Sequence, residues 1–471
     1  MIPKRFFPVM TVLFLWSAAC WTATAALSKE QETCLRKGKR FERAGWVYLH
    51  VEGEPRERGF QHGYLLAKEI AEGLKLTKEG WERQSAMEWE WLVERAAKMF
   101  VPKIDKEDLT ELEGIAEGTK AAGLAVSREE LITYNGIIEL SAYWWPLELK
   151  KMKEQPVTPA ARQSCSSFIA TGTWTRDGNV VLGHNTMQSY ADAMPAILQD
   201  ILPSRGHRIL WQTTAGWIHS GTDFFITDAG IVGSETTIGG FESFDTNGIP
   251  EFSRMRRATQ DASSLDEWCE IMKRGNNGGY ANAWLLGDIN TKEIARLELG
   301  LKYVGYEKKR DGYFIGSNVA EDRRILRLET DSKDMDIRAS SVARRVRWKQ
   351  LMKEQAGKID LEMAKRFEAD HFDTYRGKIF PGGRSLCGHF ELDGDSSGGR
   401  GVPFAADGTV DGKVVDAAMA KKMSFSARWG TACGIPFVVS KFLAAHPQFE
   451  SLNDGLKDRP SEPWAVFRAG E

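Results

Sequence analysis

Two apolar, β-favouring runs, Cys165-Ser166-Ser167-Phe168-Ile169-Ala170 and Val180-Val181-Leu182-Gly183-His184-Asn185-Thr186, flank the turn Arg176-Asp177-Gly178-Asn179. Such runs on either side of Asp-Gly read as a hairpin, so Cys165 begins a strand. It follows the small residue Ser164 and a polar segment containing Pro156 and Pro159. A chain that cuts itself would carry its nucleophile at such a place: the sulfur attacks the Ser164 carbonyl, and hydrolysis of the thioester leaves Cys165 as a new N-terminus. The freed α-amine titrates near ~8, so one residue supplies both nucleophile and base. The residues alone leave the other reading open, an ordinary buried cysteine.

The segment His184-Asn185-Thr186-Met187-Gln188-Ser189-Tyr190, at this interval after Cys165-Ser166-Ser167, resembles the phospholipase B-like family of N-terminal nucleophile (Ntn) hydrolases. That family carries a Cys-Ser pair followed by His-Asn-Thr-Trp-x-Ser-Tyr; Met187 stands where it usually shows Trp. Gly183-His184-Asn185 is more distantly similar to the Gly-Arg-Asn of penicillin V acylases and bile salt hydrolases. The tract Gly53 to Gly63 is similar to the opening of isopenicillin N acyltransferase relatives. Asp407-Gly408-Thr409-Val410-Asp411-Gly412 and Arg428 to Gly434 resemble the family's C-terminal part. The resemblance implies an α+β fold, the four-layer αββα sandwich, with a helical N-terminal segment.

Lys4-Arg5, the apolar stretch Phe6 to Trp21 and Ala23-Thr24-Ala25 have the order of a secretory signal, too short for a membrane span. The expected division is a signal peptide over 1–25, a mostly helical segment over 26–164 ending in an exposed linker, and a catalytic region over 165–471. The protein is expected to be secreted, periplasmic or lumenal, with no transmembrane span. A net charge of -2 supplies no basic field for nucleic acid. After the signal, Cys34, Cys165, Cys269, Cys387 and Cys433 remain, an odd count that leaves one thiol free. The other four allow two bridges in three pairings, and no Cys-x-x-Cys suggests zinc. No cofactor and no metal are expected. Asn-x-Ser/Thr is absent, so N-glycosylation is not expected.

Along the chain, Trp46 to His50 reads as a short strand, and helical periodicity then runs through about 82–100, 107–122 and past Ser127, which has capping-box spacing. The clustered Trp89, Trp91, Trp144 and Trp145 read as core packing. His62 reads as a packed residue. Beyond Cys165, short β-like runs cover 209–213, 222–227, 231–237, 283–287, 294–299 and 312–317, with helical tracts around 263–274 and 339–356. Glu368, Asp370, His371 and Asp373 read as a solvated turn. Gly-x-Ser-x-Gly, a P-loop and His-Glu-x-x-His are absent.

The resemblance to the acylases implies that Asn318, ending the strand Phe314-Ile315-Gly316-Ser317, aims its side-chain amide at the oxyanion. Glu235, Thr236 and Asn282 are further candidates for oxyanion or substrate contacts, and Arg344 another, though as a residue it reads as a solvated helix arginine. His184 and Asn185 carry over with Cys165. Folding the hairpin about Asp177-Gly178 sets His184 opposite Thr171, roughly 20 Å along the strand from Cys165. The expected function is a self-processing N-terminal cysteine hydrolase, cut between Ser164 and Cys165, that removes acyl groups from phospholipids. An amidase or acyltransferase on N-acyl compounds or small peptides uses the same site, and an exported binding protein without turnover uses the same fold.

Overall fold

The computed structural model describes residues 26–153, 164–191, 196–221, 224–395 and 401–471. The expected signal over 1–25 and the linker prolines Pro156 and Pro159 lie outside these residues. In chain order the strands are β1 (Lys39–Arg43), β2 (Trp46–Gly53), β3 (Ser164–Thr171), β4 (Val181–Ser189), β5 (Ala196–Pro203), β6 (Ile209–Thr214), β7 (Phe224–Thr227), β8 (Ile231–Thr237), β9 (Asn282–Asp288), β10 (Glu293–Leu299), β11 (Val304–Lys309) and β12 (Gly312–Gly316). There follow β13 (Phe372–Asp373), β14 (Lys378–Ile379), β15 (Asp407–Asp416), β16 (Ser424–Trp429) and β17 (Ala465–Arg468).

Two sheets stack face to face. One has the order β1-β2-β5-β6-β7-β8-β9-β10-β11, the other β12-β3-β4-β15-β16-β17. Ile169, Leu182 and Phe314 from the smaller sheet meet Leu210, Ile226 and Leu285 from the larger in one apolar layer. Helices cover both outer faces. Trp348 and Met352 of the helix Ser340–Glu354 and Phe367 of Leu361–Glu368 pack on Phe168 and Val181. Ile70, Trp81, Leu112 and Trp268 pack on Ile197, Trp211 and Trp284. The architecture is the α+β, four-layer αββα sandwich. Because both faces of the central strands are covered, β8 and β9 are buried at every position.

Residue 164 marks no break in the packing. The segment before it supplies two strands as well as helices, since β2 pairs in parallel with β5 and so completes the larger sheet. The helix Pro55–Leu65 crosses Lys106–Ala121 closely: a Cβ on Gly59, Gly63 or Gly118 would run into the carbonyl oxygens of Glu111, Ile115 and Phe60 respectively. The expected packed role of His62 is met by bonds: its Nε2 accepts the Gly216 N–H at 2.9 Å and its Nδ1 lies 3.2 Å from Gln199 Nε2. Trp91, Trp144 and Trp145 join Trp81 in one aromatic cluster.

Three expectations are corrected. The hairpin register differs: Ala170 pairs with Val181, so Ser167 faces His184 and Cys165 faces Thr186. A 3-10 turn over Gly172–Trp174, with Gly172 at φ +65°, shifts the loop centre to about Thr175, whose hydroxyl donates to Asn179 O at 2.8 Å. The segment 368–373 is not a solvated turn, because Glu368 and Asp373 are fully buried and His371 meets two cysteines and a second histidine. The two bridges that four cysteines allowed are not formed, all five described cysteines being free.

Candidate active site

Alternation along β3 puts Cys165, Ser167 and Ile169 on the face toward the larger sheet, and Ser166 and Phe168 on the face toward the helices. The bonds agree: Ser167 Oγ lies 2.7 Å from Ser234 Oγ of β8, while Ser166 Oγ accepts the Trp348 Nε1–H at 2.9 Å. Cys165 is buried at the end of the sandwich where β3 begins and β8 and β12 end.

Past the end of β12, Asn318 takes the left-handed conformation, φ +68°, which Asn tolerates better than most residues. Its side chain then turns to the start of β3. Asn318 Oδ1 accepts the Cys165 backbone N–H at 3.3 Å and Arg344 Nη2–H at 2.8 Å, and its Nδ2 donates to Thr237 O at 2.9 Å. Two obligate donors on one terminal atom and a carbonyl on the other leave no ambiguity about which is oxygen. The amide therefore has one N–H engaged and a second to offer. Arg344 corrects its expected solvated placement: it is 1% exposed, and Nη1 donates to Cys165 O at 2.5 Å.

His184 stands two residue pairs from Cys165, roughly 7 Å along the strand. Its Nε2 lies 3.0 Å from Glu235 O, an acceptor only, so Nε2 carries the proton and the buried Nδ1, without a hydrogen-bond partner, is a bare lone pair. Burial, reinforced by the Lys413 charge, holds its pKa well below the ordinary histidine value, so the ring is neutral. Thr186, directly opposite Cys165, accepts from Lys413 Nζ at 2.7 Å. Lys413 is fully buried and pairs with Asp411 Oδ1 at 2.5 Å, while Asp411 Oδ2 accepts from Gln212 Nε2 at 2.7 Å.

The other expected residues divide by face. Thr236 shares the inner face with Ser234; its Oγ1 is buried without a partner, and its side chain abuts Gly316. Glu235 offers only its backbone carbonyl to this side, its carboxylate accepting from the Tyr280 hydroxyl at 2.7 Å. Asn282 lies opposite Thr237, and alternation puts it on the Trp284 face, away from Ser234 and Thr236. Asn185 also faces away from Cys165, its Nδ2 donating to Glu368 O at 2.7 Å and Leu386 O at 3.1 Å. Met187 shares that face and packs on Gly388, so the departure from the family's Trp does not line the inner side.

Lys413, Asp411 and Trp348 were not singled out from the sequence. An aspartate and a lysine set between Val410 and Val414-Val415 are the one signal present for the first two; nothing local marks Trp348.

A family model described as Phospholipase B matches residues 107–304. An uncharacterised protein of Archaeoglobus fulgidus is 26% identical over 267 residues, 53% of this chain and 42% of that one. The putative phospholipase B-like 2 of Bos taurus is 27% identical over 169 residues, 32% of this chain and 28% of that one. These alignments span less than half of either relative's length. Among solved structures, a mutant of the conjugated bile acid hydrolase from Clostridium perfringens aligns over 56% of this chain and 88% of its own at 11% identity, with a TM-score of 0.35, too low to bear on the site. Among the described residues no helix is long and apolar enough to cross a membrane. In sequence, this chain is similar over part of its length to the phospholipase B-like proteins.

Proposed function

We propose that the chain is a self-processing N-terminal cysteine hydrolase that deacylates phospholipids. The observation that carries this reading is the hold on Cys165: its backbone nitrogen and carbonyl are both gripped, by Asn318 Oδ1 and Arg344 Nη1, at the first turn of sheet available to a new N-terminus. A merely packed strand cysteine would have these groups met by neighbouring backbone; here two buried side chains, one of them charged, hold them.

In processing, Sγ attacks the Ser164 carbonyl carbon, the C–N bond breaks to give a thioester and a free amine, and water releases the Ser164 carboxylate. The α-amine, near pKa ~8, then stays on Asn318 Oδ1. In turnover it takes the thiol proton, Sγ attacks the acyl carbonyl, and the amine returns the proton to the departing alcohol oxygen. Water, activated by the same amine, releases the fatty acid. The second N–H of Asn318 is the oxyanion donor, and the buried, unpartnered Thr236 Oγ1 is a further candidate; such a donor contributes roughly 3 kcal/mol. His184, neutral, accepts through Nδ1 and orients the sulfur or the scissile bond. An ester is the reading that sequence kinship favours; the site would attack an amide in the same way. Export to a secreted, periplasmic or lumenal compartment accompanies this reading.

The test is purified full-length protein and Cys165→Ala, followed by denaturing electrophoresis, N-terminal sequencing, and fatty-acid release from phosphatidylcholine vesicles beside a panel of N-acyl amides. The reading requires fragments 26–164 and 165–471 in the native protein, an uncut variant, and release from the vesicles by the native protein alone. Cleavage with amide turnover only would make it an amidase; an uncut chain without turnover would leave a binding protein.

A further inference from the structure

Away from the Cys165 face, four side chains converge that no part of this chemistry uses: His371, Cys387, His389 and Cys433, whose candidate ligand atoms all lie within 4.8 Å of one another. The geometry points to a structural zinc site, closed by two thiolates and two imidazoles, that pins the C-terminal tail to the loop behind β4.

The distances have the scale of a tetrahedral centre. With Zn–S of about 2.3 Å and Zn–N of about 2.0–2.1 Å, a nitrogen and a sulfur on one zinc stand about 3.6 Å apart. His389 Nε2 lies 3.7 Å from Cys387 Sγ and 3.3 Å from Cys433 Sγ. His371 Nε2 is buried without a hydrogen-bond partner, and its ring sits edge-on to that of His389 at 5.2 Å.

The surroundings also suit a metal. Glu391 Oε1 lies 2.8 Å from His389 Nδ1, which sets the proton on Nδ1 and turns Nε2 inward as a ligand, the carboxylate–histidine arrangement common behind bound zinc. The Ile435 N–H points at Cys433 Sγ from 3.4 Å, a contact that favours a thiolate. A disulfide between the two cysteines would explain neither imidazole. Two thiolates and two neutral imidazoles neutralise one Zn²⁺, two thiol protons leaving on binding. Four protein ligands fill the tetrahedron, so the site holds structure and has no open position for substrate.

The ligands come from three places in the chain, after the helix Leu361–Glu368, after β14 and after β16. The first two flank Glu368 and Leu386, whose carbonyls hold Asn185, and Gly388, which packs on Met187. The metal therefore ties the tail to the back of the strand that carries His184 and Thr186.

The full-length protein, purified after growth with added Zn²⁺, is measured by elemental mass spectrometry and, after exchange, by cobalt absorption. One zinc per chain is expected, with a tetrahedral thiolate–cobalt spectrum. Cys433→Ser should lose the thiolate–cobalt bands, and Glu391→Gln, which keeps all four ligands, should weaken zinc binding about 10–100-fold in competition with a chelator. Metal-free protein with a Cys387–Cys433 disulfide by peptide mapping, or metal whose spectrum and amount are unchanged in Cys433→Ser, would overturn the assignment.

Discussion

Asn318 Oδ1 holds the Cys165 backbone nitrogen at 3.3 Å while Arg344 Nη2 holds the same oxygen at 2.8 Å. One amide thus joins the start of β3, the end of β12, the end of β8 through Thr237 O, and the helix Ser340–Glu354. On the proposed mechanism, Asn318→Ala removes both the grip on the Cys165 nitrogen and the remaining N–H donor. Its kcat for acyl release should fall about 10²–10³-fold, read as single-turnover acylation of processed enzyme. A fall of less than tenfold would remove Asn318 from the mechanism.

Lys413 and Asp411 form a fully buried ion pair between the sheets, one hydrogen bond from Thr186. Lys413→Met leaves the buried Asp411 carboxylate without its cation, with the Gln212 amide still donating to it, and should cost about 3–5 kcal/mol. The double variant Lys413→Met with Asp411→Asn should recover part of that loss. Urea unfolding of the three proteins measures both steps; additive losses would mean that the pair does not act as one.

His62 has its pKa pushed down to about 4 by burial. Above the unfolded value near ~6.5 both states are neutral and the group adds no pH dependence. As pH falls from there towards about 4 the unfolded chain takes a proton that the folded one refuses, so stability is lost at about 1.4 kcal/mol per unit. Buried carboxyls with raised values, Asp108 at about 6 and Glu139 at about 7, act in the opposite sense. The comparison is therefore made within a pair: His62→Gln, which can still accept from Gly216 N, should gain on the native protein as pH drops from 7 to 4.5. Parallel stability curves would refute this.

Gly118 faces the Phe60 carbonyl at the crossing of Pro55–Leu65 and Lys106–Ala121. Gly118→Ala should cost about 1–3 kcal/mol, since backbone rather than a flexible side chain must move, and Gly80→Ala, with open space around it, should be neutral or stabilising. Thermal unfolding of the two separates packing from helix propensity.

Much of this was legible in the chain order. β8, β10 and β12 follow from their apolar runs, and the helices Leu265–Lys273 and Ser340–Glu354 from their period. β15 did not declare itself, because glycine, lysine and aspartate interrupt it, and burial on both faces removes the alternation that marks a half-exposed strand.

Residue order alone places a thiol at the start of a strand, after a small residue, and period two sets Cys165 and Ser167 on one face. Tertiary structure decided the company that thiol keeps. The register of β3 on β4, settled by a turn at Gly172, brought His184 within two residue pairs of the sulfur. Packing of a distant helix turned an apparently solvated Arg344 onto Cys165 O. His371, the neighbours Cys387 and His389, and Cys433 come from three separate places in the sequence and meet only when the tail folds back, since convergence depends on sheet order and not on spacing along the chain.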